Sequence, residues 1–199
     1  HASVHWQADA QTHQGLLAGA VVADFTKGRI DQTWPRALQA GVRLHRRIDA
    51  FSNTQQGIKL TCAKFPAQYR RYAPIFVDVL ADYFLSISWN DFHSEAKTTF
   101  SAKCYEALTA YEGFLPKNGQ RFLHYAEEKD LFANYDQWEN IERGLGSVLQ
   151  RLNKATWFEE VNDCAKSIKT TALPDFYLYY SELEQQLPSW RGLLEQKPS

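Results

Sequence analysis

Carboxylates and one histidine stand at helical spacing in the first half of the chain. His45 and Asp49 are four residues apart, and Asp78 and Asp82 repeat that spacing. Residues four apart lie on one face of a helix, so an imidazole and a carboxylate there can reach one cation or one water molecule. Together with Asp24, these side chains indicate an oxygen-rich site with one histidine, which suits Mn²⁺ or Mg²⁺ better than a closed structural zinc site.

Each of these patterns also has an explanation that involves no metal. A His-x-x-x-Asp pair on a surface helix is usually a solvated, hydrogen-bonded pair. Asp78 and Asp82 interrupt an apolar helix, where buried like charges repel each other unless a cation or a base neutralises them, but one of them could lie at the solvent edge. Asp24 stands beside a core face, between Ala23 and Phe25. Spacing alone leaves the metal site and the structural alternative open.

The basic side chains are concentrated in residues 27–71. This segment holds ten Lys and Arg residues against two Asp residues, a net charge of +8, although the whole chain carries −1. Such a segment can steer an acidic partner, or it can be a solvated face that serves solubility. The Tyr residues that flank Arg70 and Arg71 could stack on nucleic acid, but this combination is also common on solvated faces. The candidate binding residues are Lys27, Arg36, Arg43, Lys59, Lys64, Arg70 and Arg71.

The composition predicts an ordinary globular protein. With 199 residues, 44% of them hydrophobic and 14% aromatic, the chain is neither collagen-like nor extensively disordered. No apolar window is long enough for a transmembrane span, and no secretory signal is recognisable. The three cysteines are widely spaced and form no C-x-x-C pair, so we expect a cytoplasmic protein with reduced thiols. The absence of Met predicts that a few residues before His1 are missing from the sequence.

Apolar residues recur with the period of a helix almost throughout the chain. The predicted helices cover Leu16–Phe25 before Gly28, Thr33–Ile48, Gln55–Lys64, Ile75–Ser88, Ser94–Tyr111, Lys117–Asp130, Gln137–Leu152, Phe158–Thr170 and Asp175–Gln186, with a short tail helix near Trp190. The spacing of Gly15 and Gly19 predicts close packing against another helix. No convincing strand-like alternation is present, so we predict an all-α fold, a single-domain bundle of eight or nine helices over residues 1–199.

The order of several motifs is similar to that of a known family. The motifs are Ala23-Asp24-Phe25-x-Lys27-Gly28, then Pro35, then Gly41-x-x-Leu44-His45-Arg46-Arg47-Ile48-Asp49, then Arg70-Arg71-x-Ala73-Pro74-Ile75-x-x-Asp78-x-x-x-Asp82-x-Phe84-Leu85-x-x-x-Trp89. This order resembles the acyl carrier protein phosphodiesterases, also called acyl carrier protein hydrolases, over residues 1–90. The resemblance implies an all-helical fold distantly related to the HD-domain phosphohydrolases. It also implies a divalent metal, usually Mn²⁺ or Mg²⁺, and removal of 4′-phosphopantetheine from holo acyl carrier protein.

The chain departs from the family pattern at two places. Tyr83 follows Asp82 where many members carry His, and Ser52-Asn53 stands where they carry Thr-Asp. Tyr83 keeps a hydroxyl group but is a poor metal ligand, and Asn53 removes a charge. At the N-terminus, the resemblance matches His1 to a histidine of the family's first segment.

The leading hypothesis is therefore a metal-dependent phosphodiesterase that acts on holo acyl carrier protein. The predicted metal and water site consists of Asp24, His45, Asp49, Asp78 and Asp82. Arg46 and Arg47 are candidates for stabilising charge on the phosphoryl group, and adjacent helix positions point about 100° apart, so only one of them is expected to face it. The acidic carrier protein is the expected partner, with no membrane and no nucleic acid. The alternatives are a non-catalytic binder of carrier protein or nucleic acid, and an HD-like nucleotide phosphohydrolase.

Overall fold

The structure, a computed structural model, describes residues 9–194, and His1 lies outside them. The α-helices of this part of the chain are α1 (Ala10–Phe25), α2 (Arg36–Ser52), α3 (Gln56–Ala63), α4 (Ala73–Ile87), α5 (Trp89–Phe92), α6 (Lys97–Ala110), α7 (Lys117–Glu128), α8 (Trp138–Arg151) and α9 (Phe158–Gln186). Three 3₁₀ segments cover Glu112–Phe114, Ala155–Trp157 and Leu187–Leu194. No strand occurs within residues 9–194, and the predicted all-α class is confirmed.

One long helix replaces two predicted ones at the C-terminal end. The sequence predicted a break before Pro174, but α9 continues through this residue. The reason is packing, because Ala172 and Phe176 are buried on either side of the exposed Pro174 and continue one buried stripe. α5 is too short to produce a periodic pattern and was not predicted.

The contacts within the chain form two compact units. Within the described residues 9–194, the first unit comprises residues 9–50, 93–132 and 183–194, and the second comprises residues 51–92 and 133–182. The single domain expected for residues 1–199 stays a prediction.

In the part of the chain that the structure describes, no helix has both the length and the apolar character that a bilayer span requires.

In the first unit, α1 and α2 pack backbone to backbone. A Cβ atom added at Gly41 would lie 2.6 Å from the Leu16 carbonyl oxygen and 2.8 Å from the Gly19 Cα. One added at Gly15 would meet the backbone of Ala37 at 2.9 Å. The two helices can approach this closely only because glycine stands at these positions, which agrees with the predicted role of the Gly15 and Gly19 spacing. α1 also packs against α6 and α7.

In the second unit, α4 is the central helix and packs against α3 and α8. Its buried residues include Phe76, Leu80 and Phe84. Phe76 contacts Phe65, with ring centroids 5.8 Å apart, and Phe84 contacts Phe176 of α9 at 5.6 Å. These contacts fix the buried face of α4, and Asp78 and Asp82 lie outside that face.

Candidate functional site

Asp24, His45 and Asp49 meet in the first unit. The His45 Nε2 atom lies 3.4 Å from Asp24 Oδ1 and 3.2 Å from Asp49 Oδ2. The His45 side chain is 24% exposed, whereas the carboxylates of Asp24 and Asp49 are 64% and 53% exposed. One imidazole nitrogen, shielded on the helix side, therefore faces two carboxylates that are open to solvent.

The sequence builds this cluster in two steps. His45 and Asp49 lie one turn apart on α2, so the helix alone brings them together. Asp24 is the penultimate residue of α1 and reaches His45 because the two helix backbones touch at Gly19 and Gly41. Gly41 precedes His45 by one turn, so the close crossing and the cluster are neighbours on α2.

The two carboxylates control the charge of His45. Partial burial by itself would lower the pKa of this imidazole, since it disfavours the charged form. The hydrogen bonds and the negative charges of Asp24 and Asp49 outweigh this effect and raise the pKa of His45 to about 10. At neutral pH the metal-free cluster thus consists of an imidazolium between two carboxylates.

Arg46 is bound to backbone of its own chain. Its Nη1 atom donates to the Gly28 carbonyl oxygen at 2.7 Å, and its Nη2 atom donates to the Thr26 carbonyl oxygen at 2.8 Å. Thr26 is the C-cap residue of α1. The predicted role of Arg46 at a phosphoryl group stays a prediction, but these hydrogen bonds occupy part of its guanidinium.

Arg47 lies on another side of α2. It is two positions beyond His45, a rotation of about 200° around the helix. Its guanidinium carbon lies 5.4 Å from the ring centroid of Trp190, which is 6% exposed. The structure therefore places Arg47 on the side of α2 opposite to the His45 imidazole, where an aromatic ring supports it. Its predicted catalytic role stays a prediction.

Asp78 and Asp82 belong to the second unit, on α4. Asp78 is exposed and Asp82 is half-buried, so Asp78 follows the solvent-edge alternative and not the buried one. Tyr83, which stands where many family members have His, packs edge-on against Trp138 with centroids 5.3 Å apart. Asn53 is exposed just beyond the end of α2. The metal roles of Asp78 and Asp82 stay predictions.

The candidate binding residues divide by exposure. The side chains that are exposed are Lys27, Arg36, Lys59, Arg70 and Arg71. Lys64 instead forms an ion pair with Asp175 at 2.8 Å, in which the two side chains are 28% and 13% exposed. Arg43 is half-buried, donates to Gln39 at 3.3 Å, and has a pKa lowered by desolvation. Lys64 and Arg43 are thus held by their own unit, which the charge count did not foresee.

The donor chemistry of the cluster fits a divalent cation. Carboxylate oxygens and an imidazole nitrogen are the mixture that Mn²⁺ and Mg²⁺ accept, and an oxygen of each carboxylate lies within 3.4 Å of the His45 Nε2 atom. The fit is chemical and not preformed, since no group of three or more His, Cys, Asp or Glu side chains within residues 9–194 is arranged to hold a metal ion. Binding would also require His45 to lose its proton.

Sequence reasoning missed the contacts of Arg46 and Trp190. Gly28 signalled the end of α1 correctly, with its φ of 77° in the left-handed region. Nothing local signals that an arginine 18 residues later binds its carbonyl oxygen. Trp190 stands 143 residues after Arg47, and its only sequence signal is a large aromatic residue in a short tail helix.

An all-α protein with a histidine–carboxylate cluster at a helix crossing is consistent with a hydrolase. The family model described as acyl carrier protein phosphodiesterase matches residues 7–183. The chain belongs to this family, which confirms the family predicted from the sequence and, with it, the predicted enzyme class of phosphodiester hydrolases.

Named relatives agree with this assignment. Proteins called acyl carrier protein phosphodiesterase from Escherichia coli strains O139:H28, O9:H4 and K12 are each 29% identical to the chain over 161 residues. The match covers 75% of this chain and 81% of each relative. No solved structure matches the chain. The distant likeness to HD-domain proteins stays a prediction.

Proposed function

We propose that the protein is a metal-dependent phosphodiesterase that converts holo acyl carrier protein into the apo protein and 4′-phosphopantetheine. The observation that carries the proposal is the cluster of Asp24, His45 and Asp49 in a chain of this family. The relatives named for this activity support the substrate. The proposal includes a cytoplasmic location, which agrees with free thiols at Cys62, Cys104 and Cys164.

Asp24, His45 and Asp49 would form the site for the divalent ion and the attacking water, with Asp78 and Asp82 as further candidates. A divalent ion held there, Mn²⁺ or Mg²⁺, would act as a Lewis acid towards a phosphoryl oxygen and would make the attacking water more acidic. His45 contributes a neutral imidazole in this state, because the same nitrogen cannot keep a proton and act as a ligand.

The open carboxylates supply the base for hydrolysis. Asp24 and Asp49 are both more than half exposed, so a water molecule can approach either of them. The carboxylate that is not bound to the cation accepts a proton as the water oxygen attacks phosphorus. The bond between phosphorus and the serine oxygen of the carrier breaks, and that oxygen takes up a proton. The products are the carrier hydroxyl and 4′-phosphopantetheine.

Exposed basic side chains provide for recognition of an acidic carrier. Lys27 and Arg36 lie in the first unit, in or beside the segment that joins α1 to α2. Lys59, Arg70 and Arg71 are exposed in the second unit. Exposed pairs contribute at most about 1 kcal/mol each, so these residues would act on the encounter rate more than on any single contact.

The test is incubation of the protein with holo acyl carrier protein and Mn²⁺, followed by mass spectrometry of the carrier. We expect the carrier to lose the mass of one phosphopantetheine group, and Asp49→Asn to prevent the loss. The matched control is Asp31→Asn, because Asp31 is exposed and its carboxylate accepts hydrogen bonds from the backbone N–H and the hydroxyl of the neighbouring Thr33.

The remaining outcomes separate the alternatives. An unchanged carrier mass, with a nucleotide cleaved under the same conditions, would replace this proposal by the HD-like nucleotide hydrolase. Binding of the carrier without any change in its mass would indicate a non-catalytic binder.

A further inference from the structure

One guanidinium joins the end of α1 to the middle of α2. Arg46 donates from Nη1 to the Gly28 carbonyl and from Nη2 to the Thr26 carbonyl, at 2.7 and 2.8 Å. Both acceptors lie in the segment that leaves α1. Arg46 is half-buried, so solvent competes only in part for these hydrogen bonds.

The segment that leaves α1 needs such a partner. The last carbonyl oxygens of a helix receive no hydrogen bond from an N–H group of the same helix. Cationic side chains near the C-terminus can donate to them and interact favourably with the helix dipole. Thr26 turns back onto α1 through its Oγ1, which donates to the Val22 carbonyl at 2.9 Å. Gly28 then takes a φ of 77°, which redirects the chain. Arg46 binds the carbonyls on both sides of Lys27 and so fixes this turn.

The residues fixed in this way flank the cluster. Asp24 stands two residues before Thr26, and His45 directly precedes Arg46. We infer that Arg46 is a positioning residue that holds the end of α1 against α2 and thereby keeps the Asp24 carboxylate beside His45. The kinetic part of this inference rests on the proposed function.

A lysine could not take over this role. Arginine presents its donors in a rigid, planar fork, whereas lysine carries a single ammonium group on a flexible stem. Two carbonyl oxygens that belong to residues 26 and 28 require two donors held at a fixed separation. A positioning role therefore depends on the shape of the side chain, and a role in attracting phosphate depends on its charge.

The experiment compares two single substitutions that disturb the same turn in different ways. Arg46→Lys keeps the charge and removes the fork. Gly28→Ala keeps all charges and strains the turn, because its φ is positive while an added Cβ would meet nothing within 4 Å. The control is Arg29→Ala, since Arg29 is exposed in the same segment and its loss removes one charge without touching the turn.

We expect Arg46→Lys to lower kcat on holo acyl carrier protein by about ten- to a hundredfold, the cost of a small misplacement of a reacting group, with KM within about twofold of the parent. Gly28→Ala should lower kcat in the same way by a smaller factor, and Arg29→Ala should keep the parental kcat. Parental kcat in Arg46→Lys, or in Gly28→Ala, would overturn the inference.

Two further measurements need no turnover. With Mn²⁺ alone, titrated by electron paramagnetic resonance, Arg46→Lys should bind about tenfold more weakly than the parent, as expected for loss of an outer supporting contact. Hydrogen exchange at the amides of residues 24–28 should accelerate in Arg46→Lys and Gly28→Ala but not in Arg29→Ala. Unchanged exchange and unchanged Mn²⁺ affinity in Arg46→Lys would refute the positioning role. If the parent itself failed to hydrolyse the carrier, the proposed function would fall, and these two measurements would still decide the role of Arg46.

Discussion

Replacing Gly41 by Ala tests whether the close crossing of α1 and α2 builds the site. The new Cβ would lie 2.6 Å from the Leu16 carbonyl oxygen, 2.8 Å from the Gly19 Cα and 3.0 Å from the Gly15 carbonyl oxygen. All three atoms belong to the backbone of α1, so no side chain can rotate away. Favourable carbon contacts begin at about 3.5 Å, so the helices must separate by roughly 0.5 to 1 Å at this point.

Two opposing energies decide the size of the effect. Overpacking of a filled site costs about 1–3 kcal/mol, and the rigid neighbours here favour the upper part of that range. Alanine in place of glycine inside a helix returns about 1 kcal/mol. The net loss in the free energy of unfolding is then about 1–2 kcal/mol, which corresponds to a decrease of about 2–8 °C in Tm for a chain of this size.

Gly41→Ala should change one of the two contacts of His45 and leave the other unchanged. The His45–Asp49 distance of 3.2 Å lies within α2 and should not change, whereas the His45–Asp24 distance of 3.4 Å spans the two helices and should increase. Thermal unfolding followed by circular dichroism measures the stability, and the mass assay for the carrier measures the activity.

The control for Gly41→Ala is Gly113→Ala. A Cβ at Gly113 meets nothing within 4 Å, and the residue has no positive φ, so this variant should match the parent in both assays. A Gly41→Ala protein as stable and as active as the parent would refute the reasoning, because it would show that the backbone contact is not limiting.

Three further predictions concern the metal residues, the imidazole and the basic surface. Asp78→Ala and Asp82→Ala should abolish hydrolysis while the circular dichroism spectrum stays that of the parent; full activity in either variant would remove that residue from the site. In the metal-free protein, NMR titration should give His45 a pKa near 10, above its ordinary value of 6.5. Because the folded-state pKa is the raised one, the stability that this contact contributes is complete below pH 6.5 and is lost as the pH rises through 10, and a pKa near 6.5 would contradict the geometry. Charge reversal of Arg36 and Lys59 together should raise KM for the carrier with a smaller effect on kcat, and the effect should shrink at high salt; an unchanged KM and salt dependence would show that neither residue takes part in docking.

The helices were predictable because a helix with one buried face repeats its apolar residues with a fixed period. This signal located α2, α4 and α8 to within a few residues. It failed at Pro174, where proline is a local signal for a helix end but the buried residues of α9 on both sides outweigh it. Local propensity therefore gave way to packing, which a sequence pattern describes only indirectly.

The site was predictable to the extent that it is local. Residues four apart share one face in any α-helix, so His45 and Asp49 were expected to lie together, and the structure brings them together. Asp24 joined them only through the crossing at Gly19 and Gly41, for which the glycine spacing was a partial signal. The exposure of Asp78 was not predictable, because a period identifies one face of a helix without saying how far that face extends into solvent.

The charge count overestimated the basic surface for a physical reason. Sequence counts every base in residues 27–71 as available, but three of them are held by groups of the same chain, Arg43 by Gln39, Arg46 by the turn after α1, and Lys64 by Asp175. Asp175 neutralises the charge of Lys64, whereas Arg43 and Arg46 keep their charge because their partners are neutral, but their guanidinium groups are less available for direct contact with an acidic partner. Direct contacts with a carrier should therefore come from fewer bases than the net charge of +8 suggests.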